Sequence, residues 1–295
     1  MSDPVTPSDE VRTARVARRP VVALETSVLG QGLPDPWNRR AAQAMDRAVR
    51  ELGAIPAWTW IADGSVRVGA TPEDLEALMD GAPAKVARRD LPMAVATGRL
   101  GATTVSATLW VAHRAGIEVA ATGGIGGVHP GTGDVSADLV ELSRTPGTLV
   151  CSGPKSILDP AATLERLEEL GVAVLGYRTG RLPFFIVRDA GLDLEHGADG
   201  PEDVAAAAAT RRSLGVDSTL LVTNPCPAEA ALDGARVAEA VARCLDRAPG
   251  PAGKEVTPAL LACLAEETDG DSLAANLALL ESNARLAAEV AAALG

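Results

Sequence analysis

The sequence predicts one large three-layer α/β/α domain with a central mixed sheet. Short apolar runs alternate along the chain with longer segments whose apolar residues recur at helical spacing, and this alternation is typical of α/β folds. With 295 residues, 47% of them hydrophobic, the chain can bury a sizeable core. Because no internal repeat or long linker is visible, residues 20–295 are predicted to form a single domain after a polar, Arg-rich extension at residues 1–19.

The first elements follow from the apolar pattern. Residues 20–24 form a continuous apolar run, typical of a strand covered on both faces, that ends at Glu25. Apolar residues at helical spacing predict a helix over 38–52, and a second strand follows over 54–61. Further strands are predicted at 118–121, 147–151, 172–176 and 219–223. Further helices are predicted at 72–80, 105–115, 157–170, 201–214, 229–246, 257–267 and 272–293.

Charge and the lack of targeting signals narrow the classes of function. The 39 acidic and 27 basic residues give a net charge of -12, and no Lys and Arg cluster offers a continuous surface to a phosphate backbone. No nucleic acid polymer is therefore expected as a partner. Residues 1–19 lack the apolar core of a signal peptide, and no later run approaches the roughly 20 apolar residues that span a bilayer. We therefore expect a cytoplasmic protein that makes no membrane contact.

The four cysteines, Cys151, Cys226, Cys244 and Cys263, are widely spaced along the chain. They include no CxxC pair, and no histidine lies at the distances of a zinc site. The spacing therefore predicts neither a disulfide framework nor structural zinc, and the cysteines are expected to be reduced and mostly buried thiols.

Lysine is rare in this chain, which makes its positions informative. Only Lys85, Lys155 and Lys254 are lysines among the 27 cationic residues. An amine can lose its proton and attack a carbonyl, which a guanidinium cannot do. Lys155 follows an apparent buried strand directly, and α/β sheets place reactive groups at the carboxyl ends of strands. Lys155 is thus the candidate nucleophile, although three leftover surface lysines would give the same count.

Two further candidates are a cationic cluster and a carboxylate. Lys85 lies in the cationic segment 84–90, which either binds a phosphate or forms a solvated charged face. Glu25 ends the first buried strand and is a candidate general acid or base, because burial raises a carboxyl pKa toward neutrality. The competing interpretation of Glu25 and the hydroxyls of Thr26 and Ser27 is a capping role.

A glycine-rich loop over 123–133 leads into Asp134, Ser136, Ala137 and Asp138. Backbone N–H groups, two carboxylates and a hydroxyl suit Mg²⁺ or Mn²⁺ bound beside a phosphorylated substrate. The same residues are equally compatible with an ordinary N-cap before a helix near residue 139. The loop matches neither the GxGxxG nor the GxxxxGK[ST] pattern, so no dinucleotide or P-loop site is predicted.

The three histidines differ in their surroundings. His129 lies on the glycine-rich loop, where it is expected to face a ligand. His113 and His196 have no partner visible in the sequence and are expected to be structural or exposed.

In their order along the chain, several sequence blocks resemble those of the pseudouridine-5'-phosphate glycosidase family, also called the indigoidine synthase A-like family. The blocks cover nearly the whole chain after residue 20. They are ALETS at 23–27, KVARRDLP at 85–92, GATTV at 101–105, ATGGIGGVH at 121–129, DVSADL at 134–139, CSGPKSILD at 151–159, NPCP at 224–227 and GKEVTP at 253–258.

The resemblance implies an α/β/α homotrimer that converts pseudouridine 5'-phosphate and water to uracil and ribose 5-phosphate, with Mn²⁺ or possible Mg²⁺ as cofactor. By the family pattern Lys155 forms a Schiff base with C1' of the ring-opened ribose, and Glu25 moves the protons. Asp134 holds the metal in this pattern. The residues implied to contact the sugar phosphate or the planar aglycone are Lys85, Val105, His129, Ser136, Ala137, Asp138 and Asn283.

The chain also departs from the family pattern near the aglycone. Gln31 stands where the family commonly has His, Pro130 replaces an Arg, and Ser282 replaces the first Asn of an Asn-Asn pair. The usual Ala-Thr-Ile stretch reads Ala57-Trp58-Thr59. These departures leave open a C-ribosyl synthase that joins ribose 5-phosphate to an aromatic polyketide, as in alnumycin biosynthesis. A non-catalytic sugar-phosphate binding module is the third alternative.

Overall fold

The computed structural model describes residues 4–131, 133–247 and 256–295. Thr132 and Lys254 therefore lie outside the described residues. Within the described part of the chain, one sheet of eleven strands runs through the molecule. The strands are β1 Val5–Pro7, β2 Val21–Leu24, β3 Ile55–Ala62, β4 Ser65–Val68, β5 Ala84–Val86, β6 Gly101–Thr103, β7 Val119–Ala121, β8 Gly147–Cys151, β9 Val174–Tyr177, β10 His196–Ala198 and β11 Thr219–Thr223.

Helices cover both faces of this sheet. They are α1 Asp9–Val16, α2 Trp37–Glu51, α3 Pro72–Asp80, α4 Leu91–Ala96, α5 Val105–Arg114, α6 Ala137–Arg144, α7 Pro160–Glu169, α8 Pro201–Leu214, α9 Gly234–Arg247, α10 Val256–Glu267 and α11 Asp271–Leu294. A single-turn π-helix, Val28–Gly32, follows β2. None of the described helices combines the length and the apolar composition needed to cross a bilayer.

The sheet is mixed, as predicted. Its order is β1-β4-β3-β2-β7-β8-β11-β9-β10, with β6 paired to β3 and β5 paired to β6. Neighbouring strands from β3 to β10 run parallel in this order, whereas β4 and β6 run antiparallel to β3. The carboxyl ends of β2, β7 and β8 therefore lie side by side at one edge.

Strand β2 shows why the fold has three layers. Val22 and Leu24 belong to a core cluster that also contains residues of α2 and α11. Val21 and Ala23 belong to a second cluster, with residues of α1, α5 and α6. Because side chains alternate across a strand, the continuous apolar run 21–24 buries both of its faces. The predicted three-layer α/β/α fold is confirmed.

The predicted elements and the observed ones differ mainly at short or capped segments. Strands β4, β5, β6 and β10 were not predicted, because runs of three or four residues carry little periodicity. The helix predicted from residue 157 begins at Pro160, since the Asp159 side chain caps it by accepting a hydrogen bond from the Ala162 N–H. The helix predicted from residue 229 begins at Gly234.

The N-terminal segment contributes to the fold. Residues 5–7 pair with β4 in parallel, and α1 packs on the sheet through Val11 and Ala14, both buried. The Ser8 side chain caps this helix by accepting a hydrogen bond from the Val11 N–H. The polar, Arg-rich extension described from the sequence thus includes a strand and a helix that join the sheet.

The expectation of four reduced cysteines is wrong for one pair. Cys244 of α9 and Cys263 of α10 form a disulfide. Cys151 and Cys226 are free and buried, as expected. The pairing was not predictable from spacing, because it depends on how α9 and α10 pack against each other.

We expect reduction of the disulfide to lower the free energy of unfolding. Cysteines 19 residues apart close a loop that constrains the unfolded chain, an effect of about 3 kcal/mol. Urea denaturation of the wild type with and without reductant measures the difference. The Cys263→Ser variant is the control, because its stability should not respond to reductant. Equal wild-type midpoints in both conditions would contradict the prediction.

Candidate active site

One cavity lies at the shared carboxyl edge of β2, β7 and β8. Glu25 directly follows β2, the glycine-rich loop follows β7, and Lys155 lies four residues beyond the end of β8. Because these strands are parallel neighbours, their carboxyl ends bring the three segments together. The cavity is lined by Glu25, Lys85, Val105, His129, Asp134, Ser136, Ala137, Asp138 and Lys155, which are nine of the ten site residues predicted from the sequence.

Glu25 is a buried carboxylate with hydrogen-bond donors on both oxygens. Its side chain is 5% exposed. Thr122 donates its hydroxyl to Oε1, and Ser27 donates to Oε2 at 2.7 Å. Burial raises the pKa of Glu25, while the charge of Lys155 and the two hydrogen bonds oppose that rise, and the charge of Asp138 adds to it. A raised pKa suits a group that gives and takes a proton near neutral pH.

Lys155 is held over the glycine-rich loop. Its Nζ donates to the Gly124 carbonyl at 2.6 Å, and its backbone N–H donates to the Ile125 carbonyl at 3.1 Å. Gly153, two residues earlier, has a φ of +79°, and a Cβ there would lie 2.0 Å from the Pro183 carbonyl oxygen. Only glycine fits this turn. The turn therefore directs the lysine amine toward the cavity and toward Glu25.

The sequence left open whether Ser136 and Asp138 cap a helix or face a ligand, and the structure is compatible with both roles. Ser136 is the N-cap of α6 and accepts from the Asp138 N–H at 3.2 Å. The buried Asp138 accepts from the Ser106 N–H and from the Gly126 N–H, each at 3.0 Å. Asp138 thus fixes the glycine-rich loop against the start of α5, and both residues also line the cavity.

One part of the cavity lining suits an anion. Lys85 on β5 and Arg89 lie there beside Thr104, Val105 and Ser106 at the N-terminus of α5. The first N–H groups of a helix have no partner within the helix, and the helix dipole favours negative charge at that end. The Ser106 N–H already donates to the Asp138 carboxylate, so the Lys85 and Arg89 cations beside the start of this helix are the main feature that suits the cavity to an anion.

Arg88 is engaged elsewhere, although it belongs to the same cationic segment. It donates to the fully buried Glu141 at 2.7 Å. Of this segment, Lys85 and Arg89 therefore face the cavity, whereas Arg88 helps to attach α6.

His129 and Asp134 also line the cavity. The backbone N–H of His129 donates to the Asp134 carbonyl at 2.9 Å, and its ring lies 3.5 Å from the Thr257 hydroxyl. Burial lowers the pKa of His129, the charges of Lys85 and Lys155 lower it further, and Asp134 opposes them. These surroundings favour the neutral form of the ring.

Asp134, the residue that the family pattern assigns to the metal, is one of the residues that line the cavity. Among the described residues no group of three His, Cys, Asp or Glu side chains could hold a metal ion. A closed protein site of the zinc type therefore does not fit. The exposed Asp134 carboxylate fits a hydrated Mg²⁺ or Mn²⁺ ion, since these ions commonly keep several waters and bind one or two carboxylates together with substrate phosphates.

Asn283 does not line the cavity. It is fully buried beneath the loops that follow β7 and β8, where it bonds backbone and side-chain groups. The cavity instead receives Asn276 from the same face of α11, two helical turns earlier.

Sequence analysis missed several residues of the site. Thr122 could have been found, because it follows a predicted strand as directly as Glu25 does. Phe185 and Leu261 carry no sequence signal of function, since distant segments bring them to the cavity. The amide oxygens of Gln31 and Asn276 are buried without a hydrogen-bond partner in the described structure, which marks both side chains for ligand recognition.

Comparisons with known proteins agree with this geometry. The family model described as indigoidine synthase A like protein matches residues 10–293. The chain belongs to this family. A pseudouridine-5'-phosphate glycosidase of Symbiobacterium thermophilum is 48% identical over 97% of this chain and 96% of its own length. One from Gemmatimonas aurantiaca is 51% identical over 93% and 91%.

Solved structures of family members have the same fold. An indigoidine synthase A-like protein of Thermotoga maritima has a TM-score of 0.92 and 38% identity, covering 99% of this chain and 97% of its own. The prealnumycin C-glycosynthase AlnA, solved with ribulose 5-phosphate, has a TM-score of 0.91 and 40% identity, covering 100% and 98%. The similarity to these solved structures thus covers the whole fold that surrounds the cavity.

We expect Glu25→Gln to stabilise the protein at neutral pH. Because the pKa of Glu25 is raised on folding, the folded state binds this proton more tightly than the unfolded chain does. Ionisation therefore lowers stability as the pH rises through the raised pKa, and the loss is absent below the ordinary pKa of a glutamate. Thermal unfolding should give a higher Tm for the variant than for the wild type near neutral pH, and equal Tm values in acid.

Glu10→Gln provides a control of opposite sign. A hydrogen bond from Arg50 lowers the pKa of Glu10, so its charged form stabilises the folded state at neutral pH. This variant should lose stability near neutral pH and match the wild type in acid. If Glu25→Gln instead lost stability near neutral pH and matched the wild type in acid, the pKa of Glu25 would not be raised on folding.

Proposed function

We propose that this chain is a C-glycosidase that converts pseudouridine 5'-phosphate and water to uracil and ribose 5-phosphate through a covalent intermediate on Lys155. The observation that carries the proposal is one cavity lined by the Lys155 amine, the buried Glu25 carboxylate and the cations Lys85 and Arg89. The names of the 48–51% identical relatives support the same reaction.

Lys155 supplies the nucleophile. Its neutral amine attacks C1' of the sugar, and the C1'–O4' bond breaks as the N–C1' bond forms. Glu25 gives a proton to the departing ring oxygen. Glu25, now a carboxylate, takes a proton from the lysine nitrogen, and the lone pair left on that nitrogen forms a C=N bond as the bond from C1' to the aglycone carbon breaks. That carbon takes up a proton, which Glu25 is placed to transfer, and water finally releases ribose 5-phosphate from Lys155.

The remaining groups bind and orient the sugar phosphate. Lys85, Arg89 and the N–H groups at the start of α5 from Val105 face the anion site. Residues 136–138 line the same cavity, and the Asp138 carboxylate links them to the start of α5 and to the glycine-rich loop by accepting from the Ser106 and Gly126 N–H groups. A phosphate held at this end places C1' toward Lys155 and Glu25.

A divalent metal at Asp134 is part of the proposal, with Mn²⁺ as the expected ion and Mg²⁺ as the alternative. When bound, the ion supplies positive charge that offsets the charge of the substrate phosphate. Its support is the exposed carboxylate of Asp134, which lines the same cavity as the cationic side chains of Lys85 and Arg89. Homotrimeric assembly and a cytoplasmic location stay predictions.

A second candidate function is C-ribosylation of an aromatic polyketide. It is favoured by 40% identity over the whole chain to a prealnumycin C-glycosynthase and by Gln31 in place of the common His. Gln31 lines the cavity with Phe185, Leu261 and Asn276, which are positioned to meet an aglycone. Supplying ribose 5-phosphate with uracil, or with a planar aromatic polyketide, separates the two functions by the C-glycoside formed.

Lys155→Arg should abolish turnover because a guanidinium keeps the charge but forms no imine. Release of uracil from pseudouridine 5'-phosphate, followed by chromatography, measures the loss. Lys85→Arg is the matched control, since it keeps the charge that the phosphate requires and should remain active. Comparable turnover of Lys155→Arg and the wild type would exclude covalent catalysis by Lys155.

Asp134→Asn should weaken the binding of the metal ion. Losing the carboxylate is expected to raise the Mn²⁺ concentration that gives half-maximal rate by roughly 10-fold to 100-fold. Titration of chelator-treated enzyme with Mn²⁺ and, in parallel, with Mg²⁺ measures this shift. Identical titration curves for variant and wild type would remove Asp134 as the metal ligand.

A further inference from the structure

Asn283 joins the loops that carry the catalytic groups. Its side chain is fully buried on α11. The Nδ2 group donates to the Thr122 carbonyl at 2.9 Å, contacts the Gly123 carbonyl at 3.4 Å and lies 3.1 Å from the Ser152 hydroxyl. One amide therefore contacts the first residues beyond both β7 and β8.

The other end of the same amide reaches a third strand. Its Oδ1 accepts from Nδ2 of Asn224 at 3.0 Å, and Asn224 directly follows β11. Asn224 also donates to the Ser282 hydroxyl at 3.0 Å. The segments that follow three neighbouring parallel strands are thus held to one position of α11.

Two short connections lead from Asn283 to the catalytic pair. Thr122, whose carbonyl accepts from Asn283, donates its hydroxyl to Glu25. Beyond Gly123, the Gly124 carbonyl accepts from Nζ of Lys155. Thr122 and Gly124, which contact the carboxylate and the amine, therefore flank Gly123, and Asn283 contacts Thr122 and Gly123 directly.

We propose that Asn283 is a positioning residue that sets the placement of Glu25 and Lys155 relative to each other. The inference rests on the proposed function, because it assigns Asn283 a role in that reaction. Because Asn283 does not line the cavity, this role requires no contact between Asn283 and the substrate. Asn283 acts on the chemistry through Thr122 and Gly124 rather than by touching substrate.

The test uses variants that keep the size of the side chain. Asn283→Leu removes every hydrogen bond of the amide without adding charge. Asn283→Asp keeps the acceptor for Asn224 but loses the donors to the Thr122 and Gly123 carbonyls. Thr122→Val removes the hydroxyl that donates a hydrogen bond to Glu25.

Thr268→Val is the control for a purely structural loss. Thr268 is fully buried in the turn between α10 and α11, and its hydroxyl donates to the Leu264 carbonyl at 2.7 Å. It does not line the cavity, so its loss should lower thermal stability while leaving the steady-state constants unchanged.

We expect Asn283→Leu to lower kcat by about 10²-fold with KM for pseudouridine 5'-phosphate nearly unchanged. Substrate binding persists because the anion site is untouched. The limb of the pH profile that reports Glu25 should move to higher pH as the Thr122 hydrogen bond is lost, while Lys155 and Asp138, the charged groups facing Glu25, are retained. Asn283→Asp should show the same fall in kcat.

Combining Asn283→Leu with Thr122→Val should lower kcat no further than the more damaging single change, because both act on one connection. Additive losses would overturn the inference. So would an Asn283→Leu or Asn283→Asp enzyme whose kcat and pH profile match those of Thr268→Val. Wild-type enzyme without turnover would instead overturn the proposed function, so the two failures are distinguishable. If Asn283→Leu does not fold, Asn283→Asp decides by the same criteria.

Discussion

A buried carboxylate beside an amine is the interaction on which the arrangement of this protein depends. Glu25 lies almost without solvent, so its charged form requires donors and a nearby cation. Ser27 is close in sequence, but Thr122 and Lys155 come from segments that follow two other strands. Parallel pairing of β2 with β7 and of β7 with β8 brings these residues to the same edge. The topology of the sheet is therefore a requirement of the site.

Close contact between loops then limits which residues these segments can contain. A Cβ at Gly126 would lie 2.2 Å from the Ser136 hydroxyl oxygen, and one at Gly153 would lie 2.0 Å from the Pro183 carbonyl oxygen. These glycines allow the loop after β7 to pack against the start of α6 and the loop after β8 to pack against the segment that follows β9. This packing keeps the amine, the carboxylate and the anion site at fixed separations, which is what a reaction with positioned groups requires.

The sequence was sufficient to predict the fold and most of the cavity. Apolar runs that stop at Glu25 and shortly before Lys155 place both residues at strand ends, and the parallel sheet then brings them together. The contacts of Asn283 could not be predicted, because its hydrogen-bond partners lie 59 to 161 residues away along the chain. The disulfide between Cys244 and Cys263 and the docking of α1 likewise depend on packing that local patterns do not encode.

Trapping the covalent intermediate tests the central claim most directly. Purified protein is incubated with Mn²⁺ and ribose 5-phosphate, reduced with borohydride and digested, and its peptides are mapped by mass spectrometry. The account predicts one reduced sugar-phosphate adduct, on the peptide that contains Lys155, and none on the peptide that contains Lys85. Protein that binds ribose 5-phosphate by calorimetry yet yields no adduct on Lys155 would contradict covalent catalysis and favour a binding module.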